Sequence, residues 1–141
     1  SHAGMTRCCI TRLTRRYPRP MSNKQAPAAS ECVFCKIIAR EIPAEIIHET
    51  ASTLTFRDVE PQAPTHVLVI PKEHQPDVVT LGASSPQGLV ELFEAVGRVA
   101  AQEGLGAGYR SVFNTGALSQ QTVFHAHVHV LGGRPMTWPP G

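Results

Sequence analysis

Between residues 125 and 130 the chain reads His125-Ala126-His127-Val128-His129-Val130. An extended strand alternates its side chains across the sheet, so this run sets three imidazoles on one face and Ala126, Val128 and Val130 on the other. A helix would scatter the same rings around its axis. The apolar face needs a core beneath it. The histidine face needs partners for its ring nitrogens, because an imidazole is costly to bury unpaired. The run therefore calls for a sheet with one packed face and one face committed to chemistry. A solvent-facing polar strand and a metal site are the plainer readings of the same pattern.

The rest of the chain supplies that sheet. Val33 to Arg40 have helical composition and stop at Ile42-Pro43, since a residue before proline is biased away from helix. Glu45 to His48 and Ser52 to Arg57 are short runs of β-formers around a polar turn, which predicts a hairpin. His66 to Pro71 forms a strand apolar enough to be covered on both faces. Leu89, Leu92, Phe93, Val96 and Ala100 repeat at helical spacing, opened by a capping box at Ser84 and Gln87 and closed by Gly104. Tyr109 to Asn114 and Val123 to Leu131 are the last two strands. Strands without a helix between successive pairs predict an α+β fold: an antiparallel sheet of about five strands, one long helix and a short N-terminal helix.

Residues 31–141 form the domain on this reading, and residues 1–30 a disordered or cloning-derived arm. The opening Ser1-His2-Ala3-Gly4-Met5 resembles a cloning scar, Met21 is a second plausible start, and Pro18, Pro20 and Pro27 interrupt any helix. The arm distorts the charge balance. Six of the 13 basic residues precede Glu31, the first acid, which leaves seven against 11 acidic residues in the domain, a net of −4. A general affinity for nucleic acid is therefore not expected, and an anion would need a local site. No apolar run is long enough for a membrane span. The cysteine pattern, Cys8-Cys9 adjacent and Cys32/Cys35 spaced C-x-x-C, favours a reducing, cytoplasmic setting with a metal or redox pair over a disulfide scaffold.

Aligned imidazoles suit transfer of phosphoryl or nucleotidyl groups. A neutral ring nitrogen is a good nucleophile near pH 7, a neighbouring imidazolium neutralises phosphate oxygens, and a third ring orients the first. None of this requires a divalent metal at the reacting phosphorus.

The triad followed by Leu131-Gly132-Gly133-Arg134 and the terminal Trp138-Pro139-Pro140-Gly141 resembles the histidine triad (HIT) superfamily, specifically its Hint branch of nucleotide-binding proteins. The resemblance runs from about residue 32 to 141. It includes Cys32 to Ile38, Glu41-Ile42-Pro43, Phe56 to His66 and Val69-Ile70-Pro71-Lys72. It implies that His127 is the nucleophile, that His129 binds phosphate oxygens and assists the leaving group, and that His125 supports the ring network. Asn114 would hold the phosphate, with Gln121 and Thr122 in its loop, where Thr122 replaces the family's usual serine. Asp58 would take the ribose hydroxyls. The base would lie in a cleft lined by Val33, Phe34, Ile37, Ile42, Phe56 and Val59, of which Ile37 and Ile42 read equally well as core. Arg57 stands where histidine is frequent.

In relatives that complete a zinc site, the corresponding residues are Cys32, Cys35, His74 and His125, so the resemblance implies a structural zinc. A bare C-x-x-C is also compatible with two partly buried thiols. His48 and His66 read as structural histidines, and Trp138 as a packing anchor that could reach a partner's site. The implied function is hydrolysis of purine nucleoside phosphoramidates through a nucleotidyl-histidine by a homodimer joined through the long helix and the strand from Tyr109. The alternatives are a nucleotide-binding regulatory protein with incidental turnover, and a dinucleoside polyphosphate hydrolase.

Overall fold

A computed structural model describes residues 29–141. Residues 1–28 of the N-terminal arm, with Cys8 and Cys9, lie outside the described residues, and the arm's last two residues enter a 3-10 turn at Ala29–Glu31. Helix α1 spans Val33–Ile38, and its first turn is capped by Cys32, whose Sγ accepts from the Cys35 amide. Strands β1 (Ile46–Glu49) and β2 (Thr53–Arg57) form the expected hairpin, followed by β3 (Thr65–Pro71). Helices α2 (Val78–Ser84) and α3 (Pro86–Gln102) come next, then β4 (Tyr109–Val112) and β5 (Val128–Gly132). The five strands form one antiparallel sheet in the order β1-β2-β3-β5-β4.

The period-two pattern sorts this sheet into two packed faces. Val67, Val69, Val128 and Val130 face α2 and α3 and pack with Leu81, Leu92, Val96 and Val99. Leu54, Phe56, Leu68 and Ile70 face the other way and pack with Phe34 and Ile37 of α1. Each fully buried aliphatic side chain contributes about 1.5–3 kcal/mol, so α1, only six residues long, is held by its packing rather than by its own helix propensity.

Three local differences from the sequence reading have physical causes. Helix α2 is additional. Val78, Val79, Thr80 and Gly82 are weak helix formers, and the element rests on Asp77, whose Oδ1 accepts from the Thr80 amide at 2.8 Å. The cap of α3 is Ser85, whose Oγ accepts from the Gly88 amide at 3.2 Å, rather than Ser84, which ends α2 and donates back to the Thr80 carbonyl. Pro86, in the first turn, fits a position whose amide needs no partner.

The last strand begins at Val128 rather than Val123 because the backbone before it is bonded elsewhere. The Ala126 amide donates to Gln75 O at 2.7 Å, and the His125 carbonyl accepts from a side chain. Strand β4 likewise ends at Val112, two residues before Asn114. After α3 the chain turns at Gly104, with φ +71°, and returns so that Leu105 lies against Gly132. A Cβ on Gly132 would stand 2.6 Å from the Leu105 side chain, a close approach that only glycine allows.

Candidate active site

The site lies on the α1 face of the sheet, where β3 and β5 run side by side. In the register, Leu68 faces His129 and His66 faces Leu131, so His66 and His129 emerge as diagonal neighbours on one face. Only His129 lies inside β5, yet the alternation continues through the extended residues before it. Ala126 joins the core under α3 while His125, His127 and His129 stay on the α1 side. The rings of His127 and His129 meet edge to face at 5.0 Å, and the Phe34 ring packs its edge on both His125 and His127.

The hydrogen bonds fix which ring nitrogens are free. His127 Nδ1 lies 2.7 Å from the His125 carbonyl, an acceptor only, so Nδ1 carries the proton and a neutral ring keeps a lone pair on Nε2. That Nε2 has no hydrogen-bond partner among the described residues. His125 Nε2 likewise donates to Pro71 O at 2.7 Å, which leaves its Nδ1 as the lone-pair nitrogen. On the opposite side the Gln62 amide donates to His66 Nδ1 at 3.0 Å. His66 Nε2 must then carry the proton, and it donates to His129 Nδ1 at 2.9 Å, placing the remaining proton of a neutral His129 on Nε2.

Burial holds the rings neutral near pH 7. It pushes His125 and His129 down to about 4 and lowers His127, and the lost solvation outweighs the attraction of the Asp58 carboxylate for His127 and His129. His66 is lowered for the same reason. Asp58 turns inward: Oδ1 accepts from the Glu60 amide at 2.8 Å, while Oδ2 stands 3.4 Å from His66 Nε2 and 3.9 Å from His129 Nδ1. Asp58, His66 and His129 bring two nitrogens and an oxygen together, but the tautomer that Gln62 imposes leaves His66 Nε2 protonated and unable to ligate a metal.

Beside the triad Cys32, Cys35, His74 and His125 converge, their donor atoms within 4.8 Å of one another. His125 Nδ1 is 3.5 Å from Cys32 Sγ, 3.6 Å from Cys35 Sγ and 3.1 Å from His74 Nδ1, and Cys35 Sγ is 3.3 Å from His74 Nδ1. A tetrahedral zinc with bonds of about 2.3 Å to sulfur and about 2.0 Å to nitrogen separates S from N by about 3.5 Å and N from N by about 3.3 Å. The residues therefore fit zinc. Without a cation, burial and the adjacent Cys32 push the Cys35 thiol up to about 11, and a bound metal would favour the thiolate instead.

The other expected contacts divide. Phe34, Ile37 and Phe56 are buried core residues, and Ile42 packs against them. Val33, at 38% exposure, is open to a ligand, whereas Val59 is 94% exposed and lines no cleft. Arg57 is turned away, because it pairs with Val67 on the α3 face while Phe56 points to the α1 face. Its guanidinium donates to Glu103 at 3.0 Å and is raised by that partner. Asn114 is half-buried after β4, and Thr122 is exposed. Gln121 is buried, its carboxamide joining the Gly116 amide to the Pro76 and Val123 carbonyls, so it braces the loop that delivers the triad.

His66 is the site residue that the sequence reading missed. Its available signal was parity: in a strand with Val67 and Val69 on the core side, His66 must share the other face with Leu68.

A sheet that presents His127 and His129, each with its Nε2 free of protein partners among the described residues, against a C-x-x-C helix defines a histidine-based site with one candidate nucleophile beside one candidate proton donor. The HIT domain profile matches residues 39–136, and the chain belongs to the HIT family. It is 47% identical over 116 residues to a 14 kDa zinc-binding protein of Zea mays, covering 79% of this chain and 89% of that protein. Among solved structures it resembles a HIT family hydrolase from Legionella pneumophila, with 46% identity, 78% of this chain and 99% of that one covered, and a TM-score of 0.75. It also resembles a histidine triad nucleotide-binding protein from Candida albicans, with 32% identity, 77% and 82% covered, and a TM-score of 0.68. No helix of the described residues is long and apolar enough to cross a membrane.

Proposed function

We propose that the chain is a Hint-branch hydrolase of purine nucleoside 5′-phosphoramidates that works through a nucleotidyl-histidine. The observation that carries this reading is the bond from His127 Nδ1 to the His125 carbonyl, which leaves Nε2 neutral, aimed and unpartnered. His127 Nε2 attacks the α-phosphorus and the P–N bond breaks. A bound phosphate brings negative charge beside His129, which favours its protonated form. The added Nδ1 proton and the His66 Nε2 proton that faced it then turn to Asp58 Oδ2, 3.9 Å and 3.4 Å away, whose carboxylate supports the extra charge. His129 then gives the leaving amine its proton. Water attacks the phosphorus of the adduct and gives a proton to the now neutral His129; the P–N bond to His127 breaks, and the nucleoside monophosphate leaves.

In this reading Asp58 accepts from the ribose hydroxyls through its remaining lone pairs, and Asn114 and Thr122 flank the phosphate. The base rests near Val33 and the rim of the Phe34-Phe56 core. Zinc at the Cys2His2 cluster would be structural: it would tie α1 to the loop after β3 and to the first triad histidine, and would supply no chemistry at the phosphorus. The edge strand β4, the exposed Val90 and Phe93 of α3, and a cavity of about 670 Å³ along Tyr109 and Arg110 support a homodimer formed across that side.

The decisive experiment is mass spectrometry of an acid-free quenched reaction with adenosine 5′-phosphoramidate. A nucleotidyl adduct on the peptide containing His127 is expected. Turnover with no adduct at any quench time, under conditions where hydrolysis of the adduct is slowed, would remove the covalent route.

A further inference from the structure

We infer that the Cys32-Cys35-His74-His125 cluster is a positioning device for the nucleophile: with zinc bound it fixes the orientation and tautomer of His127, and removing the metal releases both. The kinetic part of this inference rests on the hydrolase reading; the structural part does not.

Two contacts join the cluster to His127. The first is covalent in origin. His125 supplies a side-chain donor to the cluster and, from the same residue, the backbone carbonyl that accepts the His127 Nδ1 proton at 2.7 Å. His125 precedes β5, so its carbonyl is held by no sheet ladder. That carbonyl shares a planar peptide unit with the Ala126 amide, which donates to Gln75 O at 2.7 Å beside the cluster's His74, so its direction depends on where the His74-Gln75 segment and the His125 ring are held, and the ring has two anchors. One anchor is the Nε2 bond to Pro71 O, and the other is the Nδ1 side that faces both sulfurs and His74. A single hydrogen bond leaves the ring free to pivot about it, whereas a second, directional bond to a metal fixes the plane of the ring and with it the carbonyl.

The second contact is packing. Phe34 lies in sequence between the two cysteines, in a helix of six residues whose N-cap is Cys32 itself. Its ring edge meets His127 at a centroid distance of 5.2 Å and His125 at 5.9 Å. A helix this short has little stability of its own, so the cluster that clamps both its cysteines also sets how closely Phe34 presses on the nucleophile. Loss of the metal would loosen the carbonyl on one side of His127 and the aromatic wall on the other. No other described residue offers His127 a side-chain hydrogen bond that would compensate.

The test compares the full chain as purified, after removal of metal with a strong chelator, and after re-addition of zinc. A proton in a buried 2.7 Å bond to a carbonyl is shielded from solvent exchange, so proton NMR should show a slowly exchanging His127 Nδ1 signal in the zinc form. We expect that signal to broaden or vanish without metal and to return with zinc, while the ring signals of His48, which lies in a separate cleft beside Glu91 and Arg98, stay in place. With a phosphoramidate substrate, kcat should fall at least about tenfold on metal removal and KM change by less than about threefold, the split expected for misplaced reacting groups. His74→Asn gives a second route to a metal-depleted protein, because His74 contacts Cys35 and His125 and leaves both His127 contacts intact.

An unchanged His127 signal in folded, metal-free protein would overturn the inference. So would a chain that takes up no zinc, or one in which both metal-free wild type and His74→Asn unfold entirely, since the metal would then hold the whole domain rather than the nucleophile. A zinc-dependent His127 signal in a protein without phosphoramidase activity would support the inference and refute the hydrolase reading.

Discussion

His66 Nε2 donates to His129 Nδ1 at 2.9 Å, and the direction of that bond is dictated from outside the triad by the Gln62 amide on His66 Nδ1. His66 therefore selects the His129 tautomer whose Nε2 bears the proton. Removing it should cost rate more than affinity. For His66→Phe we expect kcat to fall roughly 10- to 100-fold, the lower part of the usual contribution of acid-base positioning, with AMP affinity nearly unchanged. His66→Gln, which keeps an N–H donor on the same side, should recover part of the loss. Equal activity in both variants would make His66 a packing residue.

His127→Ala should abolish turnover and adduct formation together while AMP still binds, because the nucleophile acts on bond making rather than on ground-state binding. His129→Ala should slow the reaction and leave an adduct detectable on His127. Calorimetric titration with AMP, paired with single-turnover assays, separates the two effects.

The alternation in residues 125 to 130 was enough to put the three rings and the three small apolar residues on opposite sides, and the structure keeps that division even though β5 starts only at Val128. The long helix, the hairpin and the Cys32-Cys35-His74-His125 convergence were likewise legible, the first from helical spacing, the second from β-formers around a polar turn and the last from resemblance. What escaped was set by non-local contacts. Helix α2 is made of weak helix formers, so its local Asp77 cap is not enough by itself and the element is held by Leu81 reaching the core. Arg57 follows its strand parity to Glu103, and Gln121 is consumed by three backbone groups. No linear pattern announces such partners.

Stability should track the histidine that burial depresses most clearly outside the cluster. His129, pushed to about 4 by burial and then by His127 and His66, is neutral in the folded chain where an unfolded chain, with the ordinary value of 6.5, takes up a proton. It costs no stability above about pH 6.5, where both states are neutral, an increasing amount as the pH falls from there, and its full cost below about 4. Urea midpoints should fall across that window and flatten beneath it, with a shallower slope in His129→Phe. AMP should reverse part of the shift, since its phosphate favours the charged ring. Binding near pH 5.5 should therefore take up protons, read as a dependence of calorimetric enthalpy on buffer ionisation.

Metal analysis of protein purified without chelators should give about one zinc per chain, the stoichiometry of a four-ligand structural centre. Chelation should lower Tm, because a ligand that binds only the folded chain stabilises it by mass action. Cys32→Ser combined with Cys35→Ser should lower Tm and make it insensitive to chelator. A chelator-sensitive Tm in that double variant would place the metal elsewhere.

Asp58 provides the sharpest test of the nucleotide pose. Its carboxylate already accepts from the Glu60 amide and lies near His66 and His129, so two roles compete: reading the sugar and holding the loop against the rings. A carboxylate that accepts from ribose should lose more with AMP than with 2′-deoxy-AMP when it is removed, by roughly 1–3 kcal/mol for a charge-assisted contact. Asp58→Asn keeps the shape of the loop and weakens the acceptor, so it should show the same bias at smaller size. If Asp58→Ala weakened both nucleotides alike and also shifted the His129 titration, the carboxylate would belong to the ring network alone, and the ribose would have to be placed against other residues.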